Sequence, residues 1–511
     1  MPASDSPVTS LAGYRVVSSP PLHAASLTGA PAPAGQSDAG AGTLLERLAQ
    51  SLEQRGIAYC QWKGHWSAHR WACGFGDVDL LVDHEAGATF RRVAEELGFK
   101  LAYPWGARQI SGIESYFGHD PAVSRLLHLH VHYRLLLGDY WKPIYRIPIE
   151  RAMLKRSAPG HPFRVPAPTD RYLVFVLRMM LRQVGRPYLS ARTLWTNGIR
   201  IQLASLEAGS DSDELANLLQ EHLSPVDLPF FERCVRSLRG GCGPLERAVL
   251  PWQLHHRLRA HARRVPVGAL ALVAVQKLLP EPMAEKIADP RPRLAGGGLV
   301  LALIGGDGTG KSTCARELGA WLAPAFPTIR AHLGNPPCSL LTLLVGGALT
   351  LQHRIDRLLK RTSRTDGSIE LLRHICAARD RFHLYEKVRR FAISGGIAVC
   401  EHYPITQNRQ LVGPTIPELL PPEPGMFARV LRAVEASYYR RILRPDVLLV
   451  LRLDPELAVA RKPEEPADYV RTHARVVEDT DWSSTQAQLV DASQPLPEVV
   501  RRLKSIIWSL L

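Results

Sequence analysis

Cysteine is scarce in this chain, and its spacing argues against both a disulfide framework and a zinc site. Only eight cysteines occur among 511 residues, and none forms a C-x-x-C pair or has the spacing of a zinc site. A disulfide framework is therefore not expected. We expect the cysteines to be reduced thiols in a cytoplasmic protein. The N-terminus lacks a basic region followed by an apolar core, so no secretory leader is predicted either.

Long apolar runs are also missing. Two largely apolar stretches, Leu340–Leu351 and Val267–Leu279, are each about a dozen residues long, short of the roughly twenty that a spanning helix needs. The second follows a basic run that begins at His255, so a helix lying on a membrane surface is an alternative to a buried helix. We favour the buried helix, so peripheral membrane contact stays the less favoured alternative.

Positive charge is plentiful, but it is not concentrated. The formal net charge is +15, from 63 Lys and Arg against 48 Asp and Glu, which suits nucleic acid, an anionic membrane or a phosphorylated substrate. No block of lysine or arginine with interleaved aromatics stands out, so the sequence carries no clear nucleic-acid signal. With 46% hydrophobic and 22% charged residues, the chain is globular and long enough for two or three domains.

The strongest motif lies in the segment Leu299–Thr313, LVLALIGGDGTGKST. Its first six residues are apolar and predict a buried central parallel strand. The glycine-rich turn that follows has the form G-x-x-x-x-G-K-S and leads into a helical pattern, so its backbone N–H groups can surround phosphate oxygens. Lys311 adds a positive charge, and Ser312 supplies a hydroxyl for Mg²⁺. The residues expected to hold the phosphates of ATP are Gly305, Gly306, Asp307, Gly308, Thr309, Gly310, Lys311, Ser312 and Thr313.

Composition shifts divide the chain into five parts. Residues 1–42 are rich in Ala, Gly, Pro and Ser and are predicted to be a disordered tail. An α+β domain is expected at 43–165 and a helical extension at 166–288. The prolines and three consecutive glycines of 289–298 predict a linker, and an α/β domain follows at 299–511.

Two acids in the first of these domains are candidate metal ligands. Asp77 and Asp79 are two residues apart on a predicted strand, so they point to the same face and can share a divalent cation. A later segment, Leu127–Tyr133, alternates between apolar side chains on one face and histidines on the other. Those histidines are His128, His130 and His132.

The glycine at Gly64, followed after a gap by Asp77 and Asp79, resembles the nucleotidyltransferase superfamily of the polymerase β type, and more closely its uncharacterised bacterial branch. The resemblance implies a metal site at the two acids. Active members generally carry a third carboxylate on a later strand, where this chain has histidines only. We therefore expect either a domain that binds substrate without transfer, or a site in which His130 or His132 serves as ligand or base.

The C-terminal domain alternates strands with helices, which predicts a parallel sheet with right-handed crossovers. Its strands are expected at Leu299–Ile304, Thr328–Leu333, Ile397–Cys400, Val447–Leu453 and Gln488–Asp491. Glu401 comes directly after the third of them. An acid at that end of a strand beside a phosphate loop is where a nucleotide-binding sheet holds Mg²⁺.

The order of these features resembles the thymidylate kinase family over roughly the last two hundred residues. The loop matches the family's G-x-D-G-x-G-K-S-T form, which implies that Asp307 contacts the sugar of the acceptor nucleotide. Asp380 and Arg381 resemble the helix that faces the acceptor monophosphate, and Leu453–Arg461 resembles the segment that leads into the lid. The candidate lid cations are Arg461, Lys462, Arg471 and Arg475.

One departure bears on the acceptor. Where the family has D-R-Y, this chain has Glu401, His402 and Tyr403, and a histidine does not reproduce a bidentate arginine clamp on phosphate. Thymidylate is therefore not the expected acceptor.

The sequence predicts ATP- and Mg²⁺-dependent phosphoryl transfer to a nucleotide-like or phosphosugar acceptor. Lys311, Arg381, Arg461 and Glu401 are the expected catalytic residues, and Ser312 and Glu401 the expected magnesium ligands. The alternatives are an ATP-gated binding module without turnover and a bifunctional kinase and nucleotidyltransferase. The acceptor, the domain arrangement and the choice between monomer and homodimer are left open.

Overall fold

The structure is a computed structural model of the chain. It describes residues 10–11, 14–16, 42–64, 76–104, 110–122, 125–138, 144–182, 197–263, 291–358, 367–405, 407, 412–419 and 425–511. The chain divides into two compact units, one formed by Ala32–Pro290 and the other by Met1–Pro31 with Arg291–Leu511. We call them the middle unit and the C-terminal unit.

Most of the predicted disordered tail, residues 1–42, lies outside the described residues. Within it, Ser10–Leu11 and Tyr14–Val16 form two short antiparallel strands, β1 and β2. The prediction did not include these strands.

The middle unit contains a sheet with helices on one face. Its elements are α1 (Leu44–Gln54), β3 (Tyr59–Lys63), β4 (Asp77–Val82), α2 (Gly87–Glu96), β5 (Lys100–Tyr103), β6 (Ile113–His119) and β7 (Leu126–His132). The strands follow the order β5-β6-β7-β4-β3. The pair β4 and β7 is parallel, and the other neighbours in this series are antiparallel.

Alternation along β7 sets the two faces of this sheet, as the sequence predicts. Leu127, Leu129 and Val131 lie in a core with residues of α1 and α2. The histidines between them point to the opposite face, where they meet side chains of β4. A capping box between Thr43 and Glu46 fixes the start of α1.

The rest of the middle unit is mainly helical. It comprises β8 (Leu136–Leu137), β9 (Ile144–Arg146), α3 (Glu150–Lys155), α4 (Pro168–Leu181), α5 (Asn197–Ala208), α6 (Ser212–His222), α7 (Leu228–Arg239), α8 (Pro244–Arg257) and β10 (Ala262–Arg263). Helix α4 is buried along nearly its whole length and lies in a core shared with α6, α7 and α8. The apolar stretch Val267–Leu279 lies outside the described residues.

The C-terminal unit alternates strands and helices. Its elements are β11 (Arg293–Leu294), β12 (Leu299–Gly305), α9 (Lys311–Leu322), β13 (Thr328–His332), α10 (Leu340–Leu358), α11 (Gly367–Ile393), β14 (Ile397–Glu401), α12 (Ile416–Leu419), α13 (Met426–Arg440), β15 (Val447–Arg452), α14 (Pro455–Arg461), α15 (Ala467–Asp479), β16 (Gln488–Asp491) and α16 (Leu496–Leu510).

The parallel sheet predicted for this unit is confirmed. Its strands follow the order β13-β14-β12-β15-β16 and are all parallel, while β2 pairs antiparallel with the outer edge of β13. Strand β12 lies between β14 and β15, and Val300–Ile304 are buried. The loop after β12 therefore leaves the sheet from its middle.

The sequence predicts a long amphipathic helix that ends near Arg390, and residues 359–366 within this region lie outside the described residues. Helix α10 ends at Leu358, and α11 begins at Gly367. The apolar stretch Leu340–Leu351 belongs to α10, where several leucines are exposed, among them Leu340 and Leu344. Across the ranges that the structure describes, no helix is both long enough and apolar enough to cross a bilayer.

Candidate functional sites

The turn between β12 and α9 has a backbone that only glycine adopts readily at two positions. Gly308 and Gly310 have φ values of +80° and +82°. A Cβ added at Gly306 would lie 2.8 Å from the Cα of Ala474, so this position leaves no room for a side chain. The glycines of the motif are thus required both by the turn and by its close packing.

Lys311 is buried at the start of α9 and reaches back over the turn. Its Nζ donates to the Gly306 carbonyl oxygen at 2.7 Å and lies 3.7 Å from Oδ1 of Asp307. Burial lowers the pKa of Lys311, an effect that the neighbouring Asp307 opposes. The N-cap Gly310 offers no side chain to the first N–H groups of α9, and free N–H groups at a helix N-terminus favour an anion.

The two expected magnesium ligands lie side by side. The hydroxyl of Ser312 donates to Oε2 of Glu401 at 2.5 Å. Parallel pairing of β12 with β14 places Glu401 beside Leu303, at the end of the strand from which the loop emerges. A hydroxyl and a carboxylate are the hard oxygen donors that Mg²⁺ prefers, so the pair fits such an ion chemically.

Glu401 has a second partner that the motif did not predict. It is 4% exposed, and Nη2 of Arg330 lies 3.2 Å from its Oε1. The ring of His332, two residues after Arg330, stacks on His402 with 4.5 Å between the ring centroids. Arg330 and His332 lie on β13, the strand next to β14. Their position on a predicted strand of the same sheet was the one feature of the sequence that could have placed them near Glu401 and His402.

Helices α14 and α15 pack directly on the glycine-rich loop between β12 and α9. A Cβ at Gly308 would lie 2.9 Å from the carbonyl oxygen of Ala458, in α14. His473 of α15 hydrogen-bonds through Nδ1 to Oδ2 of Asp307 at 2.9 Å. This hydrogen bond, aided by the charge of Lys311, lowers the pKa of Asp307 to about 2.

Arg381, expected to face the acceptor, is engaged within the chain. Its Nε donates to the Leu333 carbonyl oxygen at 2.7 Å and its Nη2 to that of Gly334 at 3.1 Å, while Nη1 donates to the Tyr439 hydroxyl. The preceding Asp380 is buried and accepts hydrogen bonds from the backbone N–H of Ser339 and the hydroxyl of Thr342. Both residues therefore hold the segment between β13 and α10.

The candidate lid cations divide between backbone and side-chain partners. Arg461 donates to the carbonyl oxygens of Ala492 at 2.9 Å and Ser493 at 3.2 Å. Lys462 pairs with Glu464 and Glu465, and Arg471 pairs with Glu456 and Asp468. Arg475 lies on the exposed face of α15.

His402 occupies a left-handed backbone conformation, with φ of +52°. Burial, followed by the charges of Lys311 and His332, lowers its pKa to about 4. The ring is therefore neutral at pH 7, in keeping with the expectation that it does not replace an arginine on phosphate.

A second cluster lies on the polar face of the sheet in the middle unit. The parallel register of β4 and β7 pairs Asp77 with His128 and Asp79 with His130. Nδ1 of His128 lies 2.7 Å from Oδ1 of Asp77, and Nδ1 of His130 lies 3.8 Å from Oδ2 of Asp77 and from Oδ1 of Asp79. The sequence predicted that these acids share a face; the register shows that the histidines share it too.

Asp79 is held by a lysine that sequence reasoning did not assign to the site. The antiparallel register of β3 and β4 places Lys63 opposite Asp79, and Lys63 Nζ lies 3.0 Å from Oδ2 of Asp79. Nε2 of His132 lies 3.5 Å from the other oxygen. Although burial raises the pKa of Asp79, the nearby His130 and His132 and the charge of Lys63 hold that pKa well below its usual range.

Comparison with known proteins bears on this half of the chain. Residues 9–221 match the model of a family described as an uncharacterised nucleotidyltransferase. The chain contains a nucleotidyltransferase-like domain.

Two curated relatives also match the chain. They are proteins of Escherichia coli, from strain K12 and from O6:H1 strain CFT073, and both carry the name Uncharacterized ATP-binding protein YghR. Each is 24% identical to this chain over 229 residues, which cover 43% of this chain and 89% of the relative. The similarity to an ATP-binding protein is weak but spans most of that protein.

The described side chains around Asp77 and Asp79 do not fit a pair of magnesium ions. Two-metal sites need carboxylates around both ions, yet Asp79 is already paired with Lys63. Among the described residues, the cluster that could hold a metal consists of Asp77, His128 and His130, which contains one carboxylate and two imidazoles.

Proposed function

We propose that the C-terminal unit is an ATP-dependent phosphotransferase of the thymidylate kinase-like type, acting on a nucleotide-like or phosphosugar acceptor. The observation that carries the proposal is the hydrogen bond between Ser312 and Glu401, beside a buried Lys311 at the N-terminus of α9. Parallel sheets bind nucleotides at such strand ends, and the relatives are named as ATP-binding proteins, which supports ATP as the ligand.

The proposal gives a role to the N–H groups at the start of α9 and to the side chains around them. The N–H groups that begin α9, together with Lys311, bind the β and γ phosphates. Ser312 and Glu401 hold Mg²⁺, which when bound neutralises charge on the phosphoryl group being transferred. Arg330, which lies 3.2 Å from Glu401, fixes the orientation of that carboxylate.

In this proposal, the acceptor is bound by Asp307, Arg381 and the lid cations. Asp307 is ionised at neutral pH and hydrogen-bonded to His473, so it can accept hydrogen bonds from hydroxyl groups of a sugar. Because His402 is neutral, phosphate on the acceptor must be bound by arginine from elsewhere, and Arg381 is our candidate. The acceptor class follows from this pairing of a hydroxyl-binding acid with one phosphate-binding arginine.

A binding module gated by ATP is the second candidate function. Arg381 and Arg461 both donate to backbone carbonyl oxygens, which favours a chain whose cations hold its own loops rather than a substrate. Nucleotidyl transfer by the other unit is not part of this proposal, since Lys63 and His132 hold Asp79.

Transfer of labelled γ-phosphate from ATP, across a panel of nucleoside monophosphates and sugar phosphates, tests the first proposal. Lys311→Ala is expected to lower the rate by about 10²-fold or more, as loss of a preorganised charge at a reacting phosphate does. The matched control is Lys387→Ala, an exposed lysine on α11, which should keep full activity.

Three results separate the candidates. Full transfer by Lys311→Ala would contradict the kinase proposal. Tight binding of Mg²⁺ and ATP with no product from any acceptor would favour the binding module. Absence of ATP binding would contradict both.

A further inference from the structure

The polar face of β4 and β7 brings three potential metal ligands within reach of one ion. One oxygen of Asp77 and one ring nitrogen each of His128 and His130 all lie within 4.8 Å of one another. Metal–ligand bonds to imidazole and carboxylate are about 2.0–2.2 Å long, so ligands around one ion are separated by roughly 3–4 Å. Small side-chain rotations therefore suffice to close the set.

The neighbouring acid is not available to the same ion. Asp79 is 3% exposed, with Lys63 Nζ 3.0 Å from one oxygen and His132 Nε2 3.5 Å from the other. Arg178 is a further positive charge near Asp79, because the charge of Asp79 acts to raise the pKa of Arg178. Binding a second cation at Asp79 would require Lys63 to leave a buried carboxylate, which is costly.

Asp77 differs from Asp79 in being accessible. Its side chain is 45% exposed, while those of His128 and His130 are 20% and 22% exposed. An ion can therefore reach the cluster from solvent. Phe117 stacks on the ring of His128 with 4.2 Å between the centroids, which restrains the orientation of this ligand.

The chemistry of the donors selects the metal. Mg²⁺ prefers oxygen ligands and water, whereas imidazole suits Zn²⁺, Fe²⁺, Ni²⁺ and copper. A set of two imidazoles and one carboxylate is typical of sites that bind a transition metal and keep a coordination position open.

We propose that Asp77, His128 and His130 form a binding site for a single transition-metal ion of the zinc class, in place of the pair of magnesium ions that a three-carboxylate site holds. Three protein ligands leave at least one position for water or for an oxygen of a bound ligand. The proposal is independent of phosphoryl transfer by the C-terminal unit.

Titration calorimetry of the full chain, stripped of metal by a chelator and free of nucleotide, tests the site with Zn²⁺ and Mg²⁺ as probes. We expect one Zn²⁺ per chain, bound at least about 10²-fold more tightly than Mg²⁺. Asp77→Asn, His128→Gln and His130→Gln should each weaken Zn²⁺ binding at least about tenfold. Co²⁺ should give a visible absorption band in the wild type that the same variants lose.

Two controls separate this site from others in the chain. His161→Gln removes a histidine whose side chain is 83% exposed and pairs with Glu46, and Ser312→Ala removes a hydroxyl of the phosphate loop. Both should bind Zn²⁺ as the wild type does, and loss of binding in either would contradict the assignment.

The proposal is overturned if the histidine variants bind Zn²⁺ unchanged, or if Mg²⁺ displaces Zn²⁺ at equal concentration. The competition experiment needs only the wild-type chain, so it decides the question even where a variant does not fold.

Discussion

Asp79 and Asp307 are each held by a basic partner on another element. Lys63 pairs with Asp79 across two adjacent strands, and His473 reaches Asp307 from a position 166 residues later in the chain. Each carboxylate is ionised in the folded chain because its partner favours the charged form. These pairs therefore contribute to stability as well as to the candidate sites.

Substitution of Asp307 by asparagine is expected to destabilise the C-terminal unit in a pH-dependent way. The pKa of Asp307 is about 2 in the folded chain, against an ordinary value of 3.8. The ionised form therefore stabilises the fold fully above pH 4, and this stabilisation is lost as the pH falls from about 4 to 2. We expect a loss on the order of 1 kcal/mol at pH 7 after allowing for solvent screening, and a smaller difference from wild type at pH 3.

Urea denaturation of wild type and Asp307→Asn between pH 7 and pH 3 checks this expectation. Asp479→Asn, an exposed acid at the end of α15, is the matched control and should change little. A difference between Asp307→Asn and wild type that grows as the pH falls would contradict the assignment of the stabilising charge.

For single residues, the sequence indicated the candidate site residues but not the side chains that contact them. The proximity of Ser312 and Glu401 was predictable, because the ends of adjacent parallel strands meet at one edge of a sheet; the roles of Lys311, Ser312 and Glu401 stay predictions. Arg330, His473 and Lys63 were not, because their pairings depend on strand register and helix packing that no local pattern encodes.

Among the elements, α14 and α15 closely confine the glycine-rich loop between β12 and α9. Their backbones pass so close to Gly306 and Gly308 that added Cβ atoms would lie 2.8 Å and 2.9 Å from backbone atoms. A substitution in the loop therefore displaces either the loop or these two helices.

Gly306→Ala is expected to destabilise the C-terminal unit by about 1–3 kcal/mol, because the new methyl group overpacks against α15, and to weaken ATP binding. The control Gly347→Ala lies in α10, where a Cβ would meet no atom within 4 Å. It should stabilise the unit by about 0.5–1 kcal/mol through helix propensity. Thermal denaturation and ATP titration measure both effects; a neutral Gly306→Ala would show that α15 does not constrain the loop.

The sequence predicted several buried strands of both units but not the strands beside them. Period-two alternation and short apolar runs located β4, β7 and the five parallel strands, because burial on one or both faces dictates those patterns. Helical periodicity predicted an end near Arg390, and α11 ends at Ile393. The sequence did not predict the other strands, which are β1, β2, β5, β6, β8, β9, β10 and β11.

The whole molecule consists of two units with separate cores. A ligand that binds one unit should therefore stabilise that unit and leave the other unchanged. Mg²⁺ with ATP at about 100 times its dissociation constant should stabilise the unit that binds it by roughly 2.7 kcal/mol. In hydrogen exchange, we expect protection of residues 305–313 and of the end of β14, and none in residues 42–263.

The same measurement separates the two candidate functions. A kinase needs only local ordering around the phosphate loop. An ATP-gated module requires that nucleotide binding also change exchange in the nucleotidyltransferase-like domain, so protection spreading into residues 42–263 would contradict the expectation above and favour the module.

The contacts of Arg381 have a kinetic consequence. Its guanidinium tethers the backbone just after β13 through the carbonyl oxygens of Leu333 and Gly334. An incoming anion that captures this guanidinium would leave both oxygens in need of new donors, so the tether has to release before the anion can dock. Association of such an acceptor would then be paced by a motion of the protein rather than by diffusion.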